Sequence, residues 1–341
     1  MGNISIIGLD LAKNTFQVHG AHADGSVGFR KKLSRNKVLM FFAAQPRCMV
    51  AMEACASSHF WAREIGRLGH DVRMIPPIYV KPFVKRQKND AADAEAISEA
   101  ASRPTMRFVA VKSEAKQALG MAFRVRDLFV RQKTQTINAV RGHLAEYGVI
   151  APKGTAHLER LNRVVADPDG GLPVEVVSLA RLLLDQIAAL KEKIDVLEME
   201  IRARVRHDDV ASRLTTIPGI GPICAAAMEA FAPPPETFAK GRDFAAWLGI
   251  TPRQHSSGGK ERLGKTSKMG QRDLRRLLIV GAMAVVRWAV RKGAAEGSWL
   301  ARMLQRKPRM LVAVALANKM ARICWALMAK GGIYRDPAAA A

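Results

Sequence analysis

Four carboxylates, Asp10, Glu53, Asp90 and Asp93, are placed where acids do chemistry. Asp10 ends the apolar run Ile4-Ser5-Ile6-Ile7-Gly8-Leu9 and Glu53 ends Met49-Val50-Ala51-Met52, so each closes a stretch that reads as a β-strand. Asp90 and Asp93 stand at i and i+3, on one face of the helix that opens at Ala91. Strand ends and helix N-termini accept carboxylates cheaply, so each acid alone also reads as a solvent-facing residue. Together, two strand-end carboxylates beside a helix carrying two more can hold a pair of metal ions about 4 Å apart. One ion then activates an attacking oxygen and the other steadies the leaving one. Hard carboxylate oxygens favour Mg²⁺ or Mn²⁺ over zinc.

A second constellation lies at 251–270, TPRQHSSGGKERLGKTSKMG, which has almost no apolar side chain and reads as an exposed loop. Its Ser256-Ser257-Gly258-Gly259 step is set among Arg253, Lys260, Arg262, Lys265 and Lys268. One reading is a flexible loop that holds phosphate. The other is a serine nucleophile attacking a phosphodiester, with the cations stabilising charge on the transferring phosphoryl group.

The elements that must position these residues are legible from periodicity. Ile4 to Leu9, Thr15 to Gly20 and Val27 to Leu33 read as a three-stranded meander, and Ala23-Asp24-Gly25 makes its second turn. Lys37 to Ala44 is helical, Cys48 to Met52 is an apolar run, His59 to Leu68 is helical and Val72 to Ile75 is a strand before Pro76-Pro77. Meander followed by strand–helix alternation predicts an α/β domain with a mixed sheet over about 1–110.

From Ala91 the pattern is helical, with one long helix from Ser113 to Tyr147. Leu183, Ile187, Leu190, Ile194, Leu197 and Ile201 then step by 4 and 3, the a/d seam of a coiled-coil arm over 111–210. Asp167-Pro168-Asp169-Gly170-Gly171 is read as the joint between the two helices. The seam predicts either an intramolecular hairpin or an oligomerisation arm. A mainly helical domain over 211–341 opens with Ile217-Pro218-Gly219-Ile220-Gly221-Pro222. That run reads as the turn of a helix-hairpin-helix element, where Gly219 and Gly221 would bring backbone amides to a phosphate, or as a glycine turn between packed helices.

Composition bounds the partners. A chain of 341 residues with 49% hydrophobic residues builds cores of ordinary size, which excludes a disordered tail, and the formal charge is +24. Residues 241–341 hold 20 basic and 5 acidic side chains, +15 of that charge. Arg272, Arg275 and Arg276 continue it past the serine loop. So uneven an excess predicts a nucleic-acid partner bound through phosphate. Cys48, Cys55, Cys224 and Cys324 form no CxxC pair and read as reduced core thiols. Asp10 and Lys13 break any signal-peptide core and no window approaches about 18 uninterrupted apolar residues, so a cytoplasmic protein without a membrane partner is expected.

The four acids in this strand order resemble the layout of ribonuclease-H-like nucleases, including RuvC-type resolvases. With IPGIG at 217–221 and FAAWLGITPRQHSSGGKERLGKTSKMGQRDLRRLLIVGA at 244–282, the chain from Ile6 to about Tyr334 resembles the DEDD-type insertion-sequence transposases, relatives of the pilin-gene invertase. The resemblance implies a RuvC-like domain binding metal through Asp10, Glu53, Asp90 and Asp93, a coiled-coil arm, and a C-terminal transposase domain whose serine forms a covalent link to DNA. It implies donor and target DNA, a structured bridge RNA and a homo-oligomer, dimer or tetramer, as partners. The family's serine matches Ser257 by position; Ser256 precedes it directly. Two other readings of the same residues are a RuvC-like nuclease in which water attacks, and a non-catalytic nucleic-acid-binding protein.

Overall fold

The computed structural model describes residues 3–85, 90–152, 154 and 157–335, with the side chain of residue 90 outside the described residues. The chain divides into two units, 1–114 and 115–341.

In the first unit, β1 (Ile6–Asp10), β2 (Thr15–Ala21) and β3 (Val27–Ser34) form the antiparallel meander, followed by α1 (Val38–Ala43), β4 (Met49–Glu53), α2 (Ser58–Arg67), β5 (Asp71–Ile75), α3 (Pro77–Val80) and α4 (Asp90–Ala101). The sheet order is β3-β2-β1-β4-β5, with β4 parallel to both β1 and β5. Parallel pairs need crossovers, and α1 and α2 supply them. This mixed sheet is compatible with the ribonuclease-H-like domain expected from the sequence.

Strand alternation sorts the side chains into two cores. Ile7, Leu9, Val50 and Met52 pack with Phe42 of α1 and Trp61 and Ile65 of α2. The opposite face of Ala51 and Ile75 packs on Ala96, Ile97, Ala100 and Ala101 of α4. An alanine-rich helix can come very close to a sheet, and β1 meets it with Gly8. A Cβ there would overlap the Ala94 carbonyl oxygen and crowd the Ser98 backbone.

The second unit is built from α5 (Glu114–Ala145), α6 (Leu158–Ala166), α7 (Val174–Arg206), α8 (Asp209–Leu214), α9 (Pro222–Phe231), α10 (Gly241–Trp247), a ribbon of β6 (Pro252–Gln254) and β7 (Leu263–Thr266), α11 (Arg272–Lys292), α12 (Trp299–Arg306) and α13 (Arg309–Lys330). The heptad seam of α7 is consumed within the chain. Ile187 packs with Ile137, Val140 and Leu144 of α5, and Arg126 and Lys193 reach across to Glu198 and Phe129. As α5 residue numbers rise their α7 partners fall, so the two helices run antiparallel as an intramolecular hairpin. The loop at 167–171 does not join α5 to α7 directly; the short helix α6 intervenes and buries Leu161 and Val165.

At the other end, Leu119 and Phe123 of α5 and Ile201 and Val205 of α7 enter one core with α8 to α11 and α13. By length and composition α13 could cross a membrane, yet its Val312, Ala313, Ala317, Met320, Ala321 and Cys324 are buried in that core. Cys224 lies in the same core, where burial pushes its thiol up to about 12. The reading of four core thiols needs correction for Cys48, which is half-buried, and Cys55, which is exposed, because both lie at the ends of β4 rather than within it.

Candidate active site

Asp10 and Glu53 occupy the C-terminal ends of adjacent parallel strands. The register pairs Gly8 with Ala51 and Leu9 with Met52, so one further step brings Asp10 level with Glu53, about 5 Å apart across neighbouring strands. Alternation gives Asp10 the face of Gly8 and Glu53 the face of Ala51, the face that α4 covers. Both are half-buried. Asp93 is half-buried on α4, one residue before Ala94, whose carbonyl lies over Gly8. Asp90 opens the same helix, and its side chain lies outside the described residues.

Among the described residues no three His, Cys, Asp or Glu side chains are gathered as a metal cage. The donor chemistry nevertheless fits a hard divalent cation, because Asp10 and Glu53 present carboxylates side by side on one face. Further along α4, Glu95 is held by Lys85 and by Arg30 at 2.8 Å, and the Lys85 hydrogen bond keeps its carboxyl below the usual range. Those contacts tie α4 to β3 and to the segment that precedes it. Sequence reading missed the Arg30–Glu95 tie because the two residues are 65 positions apart along the chain.

The segment read as a flexible loop is a β-ribbon. Ser257 pairs with Lys260 in an isolated bridge, with the Lys260 N–H donating to the Ser257 carbonyl at 3.1 Å. Gly258 and Gly259 between them have φ of 55° and 75°. Two consecutive left-handed residues make the type I′ turn that suits the twist of a hairpin, and the Gly-Gly doublet was its sequence signal. The Arg262 N–H donates to Ser256 Oγ at 3.2 Å, whereas the exposed Ser257 hydroxyl makes no hydrogen bond among the described residues. Arg253, Lys260, Arg262, Lys265 and Lys268 are all exposed along the ribbon and at its base.

The base of the ribbon is locked. Gly249 and Gly270 have positive φ and lie so close to the Met269 and Trp247 carbonyls that a Cβ would overlap them. Arg275 Nη1 donates to the carbonyls of Leu248, at 3.0 Å, and Met269, at 3.3 Å. Lys268 has φ 54° without being glycine, a conformation that costs energy and that the surrounding contacts must enforce. Arg272 is exposed at the start of α11, and Arg276 is engaged by Asp127. In the IPGIG turn Gly219 has φ 88° and packs against the Gly281 carbonyl and Met320, while the space at Gly221, the N-cap of α9, is open.

Two family models match the chain. Residues 7–149 match a DEDD-type transposase model and residues 211–296 match the transposase IS116/IS110/IS902 family. A Pseudomonas aeruginosa protein named "Probable family 20 transposase" is 51% identical over 98% of this chain and 99% of its own length. The chain belongs to the IS116/IS110/IS902 transposase family. The Yersinia enterocolitica transposase for insertion sequence element IS1328 is 40% identical over 98% of the chain and 99% of its own. The Coxiella burnetii transposase for insertion sequence element IS1111A is 36% identical over 98% and 92%. The first match spans the strands and helix that carry the acids, and the second spans the glycine turn, the serine ribbon and α11. In this transposase the acids and the serine therefore belong to different units of the chain.

Proposed function

We propose that this insertion-sequence transposase cuts and rejoins donor and target DNA through a covalent link between Ser257 and a DNA phosphate. The serine Oγ–phosphorus bond forms as a phosphorus–sugar oxygen bond breaks, and the hydroxyl proton ends on the departing sugar oxygen. The observation that carries this is the tip of the ribbon. Ser257 stands exposed beside a left-handed glycine turn that its bridge to Lys260 closes, while Ser256 Oγ is already used to hold the Arg262 N–H.

The ribbon supplies cations and, apart from Glu261, no carboxylate, so we assign deprotonation to the acids of the first unit, Asp10, Glu53, Asp90 and Asp93. Mg²⁺ or Mn²⁺ bound by those acids would supply Lewis-acid stabilisation of the phosphoryl group and lower the pKa of an oxygen nucleophile. Arg253, Lys260, Arg262, Lys265 and Lys268, with Arg272, bind and orient the phosphodiester, and Arg275 holds the ribbon in place through backbone carbonyls. Gly221 has room for a phosphate at the N-terminus of α9.

The serine of one protomer meets acids of the same or another protomer in a homo-oligomer on DNA, with a bridge RNA directing the strands. The resemblance supports the RNA and the oligomer, and the +24 charge supports a polyanionic partner. The deciding experiment incubates the full chain with Mg²⁺ and a labelled element-junction DNA and resolves the products on a denaturing gel. A protein-linked DNA band that Ser257→Ala abolishes supports the reading. Strand cleavage with no linked band in the wild type overturns it in favour of hydrolysis by water.

A further inference from the structure

Within the unit 115–341, a cavity of about 240 Å³ opens between α5 and the first turn of α11. Phe123 and Phe231, with ring centroids 5.7 Å apart, form part of its wall. Its rim carries Arg124, Arg126, Arg131, Arg272 and Arg276 around Asp127. Arg126 is answered by Glu198. Asp127 answers two guanidiniums, Arg276 at Oδ1 and Arg131 at Oδ2, the latter at 3.5 Å. Asp127 Oδ1 is buried without a well-directed hydrogen bond, so its contact with Arg276 is one of charge and not of good donor geometry. Arg124 and Arg272 are exposed and have no ion pair among the described residues. Asp273, the remaining acid of the rim, sits in the first turn of α11, where a carboxylate is favoured by the helix itself.

Five guanidiniums against three carboxylates, Glu198 behind Arg126 included, at the N-terminal end of a 21-residue helix make a concave surface with unmet positive charge on Arg124 and Arg272. Guanidinium forks fit the tetrahedral oxygens of phosphate in pairs, which a single carboxylate shared between two arginines does not reproduce. The cavity also begins where the serine ribbon ends, since β7 stops at Thr266 and α11 starts at Arg272.

We propose that this cavity seats a backbone phosphate of the bound nucleic acid, and that Asp127 stands in for that phosphate in the free protein. Binding exchanges the Asp127 carboxylate for phosphate on Arg276 and Arg131, with Arg124 and Arg272 completing the seat. The phosphate-binding surface then extends from the ribbon onto the arm helix α5, and Asp127 sets a threshold that weak anions do not pass. The proposal rests on reading the transposase as a nucleic-acid enzyme.

The test measures fluorescence anisotropy of the full-length chain with a labelled duplex DNA and, separately, a structured RNA of similar length, across a salt series. Asp127→Asn keeps the side-chain shape and frees two guanidiniums. It should tighten binding about three- to tenfold at low salt and leave the slope of log K against log salt unchanged, because the same phosphate is seated in both proteins and only the displaced carboxylate is gone. The ligand whose affinity rises, DNA or RNA, is the one that occupies the cavity. Unchanged or weaker binding of both ligands by a folded Asp127→Asn variant overturns the proposal. Should that variant fail to fold, the double variant Arg124→Ala/Arg131→Ala alters two exposed side chains and decides instead. A weaker complex with a shallower slope supports the seat, and wild-type affinity and slope refute it. Failure of the underlying reading looks different, because the wild type itself would then show no salt-sensitive binding to either ligand.

Discussion

A Cβ on Gly8 would overlap the carbonyl oxygen of Ala94, so β1 and α4 approach as closely as backbone permits. That approach brings the helix of Asp90 and Asp93 onto the strand of Asp10. Gly8→Ala forces the helix outward or the strand to bend, which costs about 1–3 kcal/mol in a close-packed site. The variant should unfold several degrees below the wild type and lose strand-cutting activity beyond what its folded fraction explains. An unchanged melting temperature with unchanged activity would refute the close packing of α4.

The four acids are expected to act together in chemistry and hardly at all in binding. Asp10→Asn, Glu53→Gln and Asp93→Asn should each lower metal-dependent cleavage by about a hundredfold or more while DNA affinity stays within a factor of two or so. Chelation with EDTA should stop cleavage by the wild type, and Mg²⁺ or Mn²⁺ should restore it. Full activity in the Asp10→Asn variant would remove the carboxylates from the reaction.

His19 predicts an acid-sensitive first unit. It is 4% exposed on β2, its Nδ1 has no hydrogen bond among the described residues, and burial holds its pKa below 6.5, opposed by Glu95 and reinforced by Arg30 and Lys85. The unfolded chain therefore binds more protons than the folded one once pH falls below about 6.5. Stability drops as pH descends from there to the lowered folded-state pKa, and levels off below it. Glu95, whose pKa is also lowered, adds its own loss only below the ordinary carboxylate range. His19→Gln should flatten the melting temperature between about pH 7 and 5 relative to the wild type; parallel profiles would mean that another group sets the acid sensitivity.

Much of this arrangement was readable in the chain because local signals and tertiary roles coincide. Asp10 and Glu53 break apolar runs at the points where the strands end, and the meander and the α7 seam follow simple periods. Other features had no local signal. Gly8 looks like any weak strand residue until Ala94 is known to lie against it. The helix α6 was hidden because its apolar residues span barely two turns between loops, and the ribbon was hidden because its strands expose nearly every side chain. Arg275 and Arg276 read as equal members of a basic run, yet the fold ties one to backbone carbonyls and the other to Asp127. Charge counts reveal a partner; only geometry tells which cations are already engaged.

The two serines separate most sharply. Ser256 Oγ accepts the Arg262 N–H across the ribbon, so Ser256→Ala should loosen the hairpin by about 1 kcal/mol and still yield the protein-linked DNA band. Ser257→Ala removes only an exposed hydroxyl, so DNA affinity and melting temperature should be unchanged while the linked band disappears. Gly258→Val tests the turn that presents the serine, since its φ of 55° is strained for a β-branched residue and the type I′ geometry would be lost. That variant should bind DNA with near wild-type affinity, because the cations remain, and form the adduct at least tenfold more slowly, because the nucleophile is no longer held. Normal adduct formation by Gly258→Val would show that the ribbon tip need not be rigid, and a linked band from Ser257→Ala would transfer the role to another hydroxyl.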